Sequence, residues 1–551
     1  LWTTSGKSLE INEPNSTGES IFRVRHDVTG TAGTFLSLAG GGVEGGPVYS
    51  GHEDGKVIVW EPTAFTKRYV VTMGLYKVVS LCVVEKGRLW VGWSQGKIGV
   101  FDTSVWDRWL LVKEFMAHGS SAVGNLVVDV KSVLTRGELF VVSCANEMGN
   151  IKVWDGFLVK DWKDSAVRNQ EDQFATYRDV PVFVATWNIN ACKPEALESL
   201  PASQQILHQW FSQFNSSQPP PSIISINFQE LVDLESKKAN AKQLFMEVTG
   251  TKSSSSDNRL GYWREKLSRT LQECLPHLQY RLIDCHQLFG LFQCTFLLES
   301  EISNLIQGSI SLAQVKTGLG GLHGNKGGIA TRFLLNDTSL CFLNCHLAAH
   351  QSHVSARNND LTAIRDGTTF PYFDIDTDAV FTQGGDGTLS LDHNHIFFAG
   401  DLNYRIDLPR ETVLQAIDHR EYTLLLQHDQ LSLQFAQNAY FALKGFIEPP
   451  ITFAPTFKYD VGSTRYDSSE KRRVPAWCDR VLYKGSGRFL EYTRGECVMS
   501  DHRPVSAMVV VRIKKIDYKR LEGVRLLVED AGISFMQGRA REWGVGRGLI
   551  A

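Results

Sequence analysis

The chain has 551 residues, 43% hydrophobic and 21% charged, a composition that excludes wholesale disorder and leaves room for three or four domain equivalents. Its 57 basic and 60 acidic side chains cancel to −3, so bulk charge predicts neither a nucleic-acid coat nor a strongly anionic-membrane binder, and any anion site must be local. The ten cysteines are scattered without a C-x-x-C, which argues against a zinc cage or disulfide framework and for a reducing, cytoplasmic compartment. No apolar run reaches the roughly 18 residues of a membrane span, and Leu1-Trp2-Thr3-Thr4 does not resemble a signal peptide.

Three early segments share one pattern: Asp54 to Trp60 (D-G-K-V-I-V-W), Gln95 to Asp102 (Q-G-K-I-G-V-F-D) and Met148 to Asp155 (M-G-N-I-K-V-W-D). Each is a turn feeding an alternating strand that ends in an aromatic residue. Trp60, Phe101 and Trp154 recur after 41 and 53 residues, near the roughly 40 to 45 of a four-stranded propeller blade. Residues 1–160 therefore resemble the last blades of a WD-repeat β-propeller. The chain opens on Leu1 rather than Met, and Leu1-Trp2 reads as the tail of an earlier blade, so we expect a truncated propeller. Residues 161–179 are polar without alternation and read as a linker.

From Pro181 apolar strands alternate with helical stretches (Leu197 to Phe214, Tyr262 to Leu275), which predicts an α/β layered domain. Gln218 to Pro221, Lys252 to Asp257 and Thr382 to Asp392 read as loops by composition. The strands end in polar clusters. Val182 to Thr186 leads to Trp187-Asn188-Ile189-Asn190, and Ser222 to Asn227 leads to Phe228-Gln229-Glu230, a carboxylate and amide set of hard oxygens suited to Mg²⁺. Leu319 to Gly328 (L-G-G-L-H-G-N-K-G-G) is a glycine-rich loop able to bring backbone amides and Lys326 to a phosphate, although it lacks the G-K-[ST] of nucleotide hydrolases. Ser339 to Leu343 runs into Asn344-Cys345-His346-Leu347-Ala348-Ala349-His350, and Arg357-Asn358-Asn359-Asp360 opens a helix. In H-I-F-F-A-G-D-L-N-Y-R-I, His395 to Ile406, a buried strand delivers Asp401 and Asn403 to a sheet edge with Leu402 turned back into the core. A basic segment, Lys471-Arg472-Arg473, precedes Trp477-Cys478-Asp479-Arg480, and Asp501-His502 supplies a base near neutral pH before the last strand, Ser506 to Val511.

The ordered set W-N-x-N, F-Q-E, G-N-K-G-G, N-C-H-L-A-A-H, G-D-L-N-Y-R, K-R-R-x-P-A-W-C-D-R and S-D-H-R-P-V resembles the catalytic domain of the inositol polyphosphate 5-phosphatases over residues 180–512. A propeller ahead of it is similar to some plant and fungal members. The resemblance implies an α/β two-sheet sandwich of the deoxyribonuclease-like fold with the site at its rim, so the chain reads as multidomain: a partial all-β propeller, that sandwich, and then residues 513–551, which look like a helical tail with a helix at Ile516 to Glu529. The resemblance also implies Mg²⁺ held by Glu230, Asn188 and Asp501. His502, oriented by Asp479, would take the proton of the attacking water. Asp401 and Asn403 would position that water and the phosphoryl oxygens, with His346 donating to the phosphate. Lys326, Tyr404, Arg405, Lys458, Lys471 and Arg472 would grip neighbouring ring phosphates. Two departures are Asn227, where a small or apolar residue is usual, and Phe457, where Tyr is usual.

The function so implied is Mg²⁺-dependent hydrolysis of the 5-phosphate of a phosphoinositide or soluble inositol phosphate, with peripheral membrane contact, a protein partner for the propeller and no nucleic-acid partner. Two other readings stay open at this point: a nuclease on the same fold, and a propeller scaffold with an inactive phosphatase domain.

Overall fold

The computed structural model describes residues 2–14, 20–40, 46–74, 76–85, 87–105, 109–146, 149–201, 205–215, 219–232, 254–318, 323–381, 385–438 and 441–546. They form two compact units, Leu1–Gln173 with Tyr518–Ala551, and Phe174–Asp517.

Strands of the first unit pair with their sequence neighbours into four antiparallel sheets, spanning Trp2–Ser5 to Ser20–Asp27, Phe35–Ala39 to Thr66–Thr72, Val78–Glu85 to Leu110–Met116, and Val123–Asp129 to Ile151–Asp155. The glycine that opens two of the repeats has a steric reason. Gly55 and Gly96 take φ of +76° and +83°, and a Cβ on them would lie 2.2 and 2.1 Å from the carbonyl oxygens of Gly74 and Gly119. The aromatic that closes a repeat has a polar reason. Trp60 Nε1 donates to Ser50 Oγ at 2.8 Å, with His52 Nε2 on the same hydroxyl at 2.9 Å. Trp154 Nε1 donates to Ser143 Oγ at 2.7 Å, with His118 Nε2 at 2.7 Å. A buried indole N–H thus finds its acceptor the same way in two sheets. Met148, in the third repeat, and Leu1 lie outside the described residues.

Residues 161–179 are not a linker. Val159–Arg168 is a helix of the first unit, and Ala175 already opens a strand of the second. The tail is helical, but its helix is Tyr518–Gly546, because residues up to Ile516 continue the last strand in register with Ala175. That helix belongs to the first unit. Trp162 and Phe535 stack at 4.6 Å, Trp543 Nε1 donates to the Val84 carbonyl at 2.8 Å, and Ala540 and Trp543 join a core cluster with Trp90, Ile98 and Val141.

The strands of the second unit are numbered in chain order: β1 Ala175–Asn188, β2 Ile223–Gln229, β3 Tyr280–Leu288, β4 Leu291–Leu298, β5 Ser311–Gly318, β6 His323–Leu335, β7 Thr338–His346, β8 His395–Asp401, β9 Asp479–Lys484, β10 Gly487–Arg494 and β11 Val505–Ile516. They make two sheets, β3-β4-β2-β1-β11-β10 and β5-β6-β7-β8-β9. Between them lies an apolar layer of Val182 and Val184, Phe342, Phe397, Val481, Val505 and Val509, while helices cover both outer faces through Trp210 and Leu267 on one side and Leu361 and Leu431 on the other. This is the two-sheet α/β sandwich expected. Strands covered on both faces read as unbroken apolar runs, which is why β2 and β8 lack alternation.

The predicted helix Leu197 to Phe214 is broken into Pro194–Glu198 and Ile206–Ser212 around Pro201. Ser254 to Asp257, read as loop, open the helix Ser254–Cys274. Of the glycine-rich segment, 319–322 lie outside the described residues, and 323–328 are the start of β6 rather than a loop. A Cβ at Gly327 would sit 2.1 Å from the Val315 carbonyl oxygen, so this glycine serves strand packing. Gln218 and 382–384 of two other predicted loops also lie outside the described residues.

Candidate active site

Among the described residues two strand pairs of the sandwich are parallel, β1 with β2 and β7 with β8, and both pairs end at one rim. Parallel pairing brings like ends together: Asn188 lies opposite Gln229, with Glu230 next, and His346 lies opposite Asp401. Antiparallel β9 begins there with Asp479 opposite Asp401, and β11 is entered there through Ser500-Asp501-His502. Six separated segments therefore meet because of sheet topology.

Polar groups between the sheets form the floor. Gln229 Nε2 donates to Asn344 Oδ1 at 2.7 Å and Thr186 Oγ1 at 3.0 Å, while Asn344 Nδ2 donates to the carbonyls of Phe228 at 3.0 Å and Phe292 at 2.8 Å. Asn227 has a role too, donating to the Ala185 carbonyl at 3.0 Å and accepting from Gln293 at 2.9 Å. These satisfied bonds hold the strand ends in register across the sandwich.

Above the floor stands a histidine and carboxylate array. His502 Nδ1 lies 2.9 Å from Asp479 Oδ2, and its Nε2 lies 3.8 Å from Asp401 Oδ2. The same Asp401 oxygen accepts from Asn188 Nδ2 at 3.1 Å and lies 3.3 Å from His346 Nε2, which is 3.8 Å from Glu230 Oε1. Lys326 Nζ contacts His346 Nε2, and Lys458 Nζ pairs with Asp501 Oδ2. Asn403, at φ +56°, turns its N–H onto Asp401 Oδ1 at 3.1 Å, and Glu230 is also left-handed at φ +54°. Such backbone is costly for non-glycine residues and here re-aims strand ends toward one point.

Burial shapes the charges. Burial pushes the Asp401 carboxyl up, but His502, His346 and Lys326 more than reverse this and hold it well below the usual carboxylate range. Burial pushes His502 down, but Asp479 and Asp401 raise it to about 9. Asp479 is raised, by burial above all. Burial also lowers Lys326, against the pull of Asp401 and Glu230.

Asp401, Asp479 and His502 form the tight donor group, with ligand atoms within 4.8 Å of one another. This is not the expected metal set. Asp479 Oδ2 is already engaged by His502 and by the Thr456 hydroxyl at 2.7 Å, whereas Glu230, Asn188 and Asp501 carry hard oxygens: the Glu230 side chain is 39% exposed, Asn188 Oδ1 accepts from Asn190 N at 3.1 Å and Asp501 Oδ2 pairs with Lys458. That chemistry fits a Mg²⁺-type cation.

Two substrate-binding expectations do not survive. Tyr404 is fully buried in the outer apolar layer, with its hydroxyl on Asn358 Oδ1 at 2.6 Å, because the chain reverses at Asn403. Arg472, at φ +36°, turns outward and pairs with Glu411 at 3.0 Å, both side chains largely exposed. Its neighbour Arg473 is less exposed and pairs with the buried Asp467 at 3.4 Å. Burial and then the charges of His353, Arg405, Arg473 and Lys471 hold His350 below the ordinary imidazole range. Arg405 lies with its guanidinium 4.3 Å from the Phe457 ring centroid, and that ring is 4.6 Å from His502. Sequence reasoning missed Arg473, His350, Thr456, Gln229 and Asn344 as contributors. For Gln229 and Asn344 the available signal was a polar residue inside an otherwise apolar strand end.

A sandwich of two mixed sheets with paired carboxylates and histidines at the rim is an architecture suited to phosphoester hydrolysis. A family model described as endonuclease/exonuclease/phosphatase family 2 matches residues 185–508, and the chain belongs to that family, in its inositol polyphosphate 5-phosphatase branch. The chain is 38% identical to a probable inositol polyphosphate 5-phosphatase of Schizosaccharomyces pombe, over 94% of this chain and 44% of the relative. It is 30% identical to synaptojanin-1 of Homo sapiens, over 74% of this chain and 25% of the relative. Among solved structures it resembles the inositol polyphosphate 5-phosphatase domain of SPsynaptojanin in complex with inositol (1,4)-bisphosphate and calcium ion, with 28% identity, a TM-score of 0.54, and coverage of 70% of this chain and 99% of that domain. The chain spans less than half the length of the curated relatives it matches.

Proposed function

We propose that this chain hydrolyses the 5-phosphate of phosphoinositides such as phosphatidylinositol 4,5-bisphosphate, or of soluble inositol polyphosphates, with Mg²⁺ as cofactor. The observation that carries the reading is the His502–Asp479 pair directed at Asp401, with Glu230, Asn188 and His346 on the same rim. A bound cation would be held by Glu230, Asn188 and Asp501. It would supply Lewis acidity and charge neutralisation.

The chain's own residues carry the rest. His502 Nε2, its other nitrogen held by Asp479, takes the proton of the attacking water, and Asp401 and Asn403 orient that water and the phosphoryl oxygens. His346 donates to the phosphate. Lys326, Lys458, Arg405, Lys471 and Arg473 are the cations available to neighbouring phosphates on the ring.

The first unit is read as WD-repeat blades that bind a protein partner, on the support of the repeated Trp–Ser–His bonding. Among the described residues no helix is long and apolar enough to cross a membrane. A lipid substrate would be met by peripheral contact, from the cytoplasmic side.

Phosphate release from a panel of lipid and soluble inositol phosphates, with Mg²⁺ and with EDTA, tests the proposal. Release confined to 5-phosphorylated compounds and abolished by EDTA is expected. Nicking of plasmid DNA without phosphate release would replace it with the nuclease reading, and inertness toward both would leave a scaffold.

A further inference from the structure

Three consecutive residues each hold a different member of the site. Thr456 Oγ1 donates to Asp479 Oδ2 at 2.7 Å, the Phe457 ring lies 4.6 Å from His502, and Lys458 pairs with Asp501. Their backbone is fixed on both sides. Phe457 exchanges bonds with Ala476 at 3.1 and 2.8 Å, Thr456 O accepts from Arg503 N at 2.8 Å, and Tyr459 N donates to Asp501 O at 2.9 Å. The segment thus lies between the chain entering β9 and the chain entering β11.

We propose that Thr456 is a positioning residue for the base, acting through Asp479; this rests on the reading of His502 given above. The hydrogen-bond geometry carries the argument. Asp479 Oδ2 accepts from both the Thr456 hydroxyl and His502 Nδ1, while Asp479 N donates back to Thr456 Oγ1 at 3.3 Å. That reciprocal pair sets the rotation of the carboxylate. Asp479 Oδ1 is buried with no hydrogen-bond partner among the described residues, so nothing on that side opposes a swing. Without the hydroxyl the carboxylate can rotate, and His502 loses the fixed acceptor that keeps its proton on Nδ1 and its Nε2 toward the water. Thr456 is fully buried and touches no substrate position, so it governs turnover rather than affinity.

The test is a double-mutant cycle on the full chain with Mg²⁺, using Thr456→Val, Asp479→Asn and both together, beside Thr456→Ser and His502→Asn. Thr456→Val is expected to lower kcat about ten- to hundredfold with KM changed by less than about twofold, and to add little in the Asp479→Asn background. Thr456→Ser, which restores the hydroxyl, recovers activity. In the metal-free chain Thr456→Val should also shift the Nδ1 proton resonance of His502, assigned by its loss in His502→Asn. Should the valine variant fail to fold, Thr456→Ala is read in the same cycle. An unchanged kcat in Thr456→Val while His502→Asn is inactive overturns the inference, as does an equal loss with and without Asp479. An active His502→Asn removes the base assignment itself, and the role of Thr456 with it.

Discussion

Asp401 and Asp479 are cross-strand partners, two buried carboxylates directly opposite each other on β8 and β9. Like charges so placed repel strongly in a low-dielectric setting. The imidazole of His502 answers this by reaching both, at 2.9 Å through Nδ1 and 3.8 Å through Nε2. Asp479→Asn should lower kcat by about two to four powers of ten, as loss of a base's orienting carboxylate does in related chemistry. Near-normal turnover with an unaltered pH profile would show that the pair is structural.

Glu230→Gln should remove most activity while leaving the fold intact. The side chain is 39% exposed and makes no core contact, so the loss lies in charge at the cation position. Mg²⁺-dependent turnover and thermal midpoint, measured together, check this. Unchanged turnover at saturating Mg²⁺ would reassign the ligand.

The two neighbouring arginines should behave differently. Arg473→Ala should reduce kcat/KM about ten- to hundredfold on a substrate with both 4- and 5-phosphates, and less on one with the 5-phosphate alone. Arg472→Ala, removing an exposed pair with Glu411, should have a small effect that is equal for both substrates and erased by salt. Comparing both variants on both substrates at two salt concentrations settles which arginine reads the ring.

Much of this site was legible because its groups lie at strand ends, where an apolar run stops on a carboxylate, amide or histidine. Asp401, His346 and Glu230 follow such runs, and β7 and β8 do bring His346 beside Asp401, whereas Asp479 opens its strand and was assigned through the family resemblance. Directions on irregular backbone were not legible. The left-handed turns at Asn403 and Arg472 break the alternation from which side-chain direction is inferred, and this reversed the roles of Tyr404, Arg472 and Arg473. The tail helix was misread for another reason: its apolar residues have no period that says which core they join, and its partners Val84 and Trp162 lie more than 350 positions away.

A fragment of residues 174–517 should fold and keep activity, because it contains both sheets and the whole site. Removing residues 1–160 alone should yield a less soluble product, since Ala540 and Trp543 would lose the apolar cluster that buries them. Sedimentation and phosphate release from the two fragments compare directly; an insoluble 174–517 would mean the units depend on each other.

Acid should destabilise that fragment through His393. Its ring is fully buried between Phe370 and Phe381, neither nitrogen has a hydrogen-bond partner among the described residues, and burial lowers it to about 3. The folded value lies below the unfolded value near 6.5, so the unfolded chain takes up the proton first. Stability is complete above pH 6.5 and lost as pH falls toward 3, by about 2 to 3 kcal/mol at pH 4.5. His393→Phe should flatten that slope in urea midpoints taken at pH 7.5 and 4.5. A slope that persists in the variant would place the acid sensitivity at another group.

Asp517 N donates to Phe174 O at 2.7 Å, so the catalytic unit begins and ends at one point. Along the chain the described strands of the first unit come before the second unit, and the helix Tyr518–Gly546 that returns to Val84 and Trp162 comes after it. The second unit can close on itself as soon as β11 emerges, while the first waits for the helix that follows. A nascent chain stalled near residue 517 would therefore carry both sheets of the sandwich together with a first unit whose apolar cluster around Trp90 is uncovered, which makes the codons of Tyr518–Gly546 an interval in which a chaperone has much to protect.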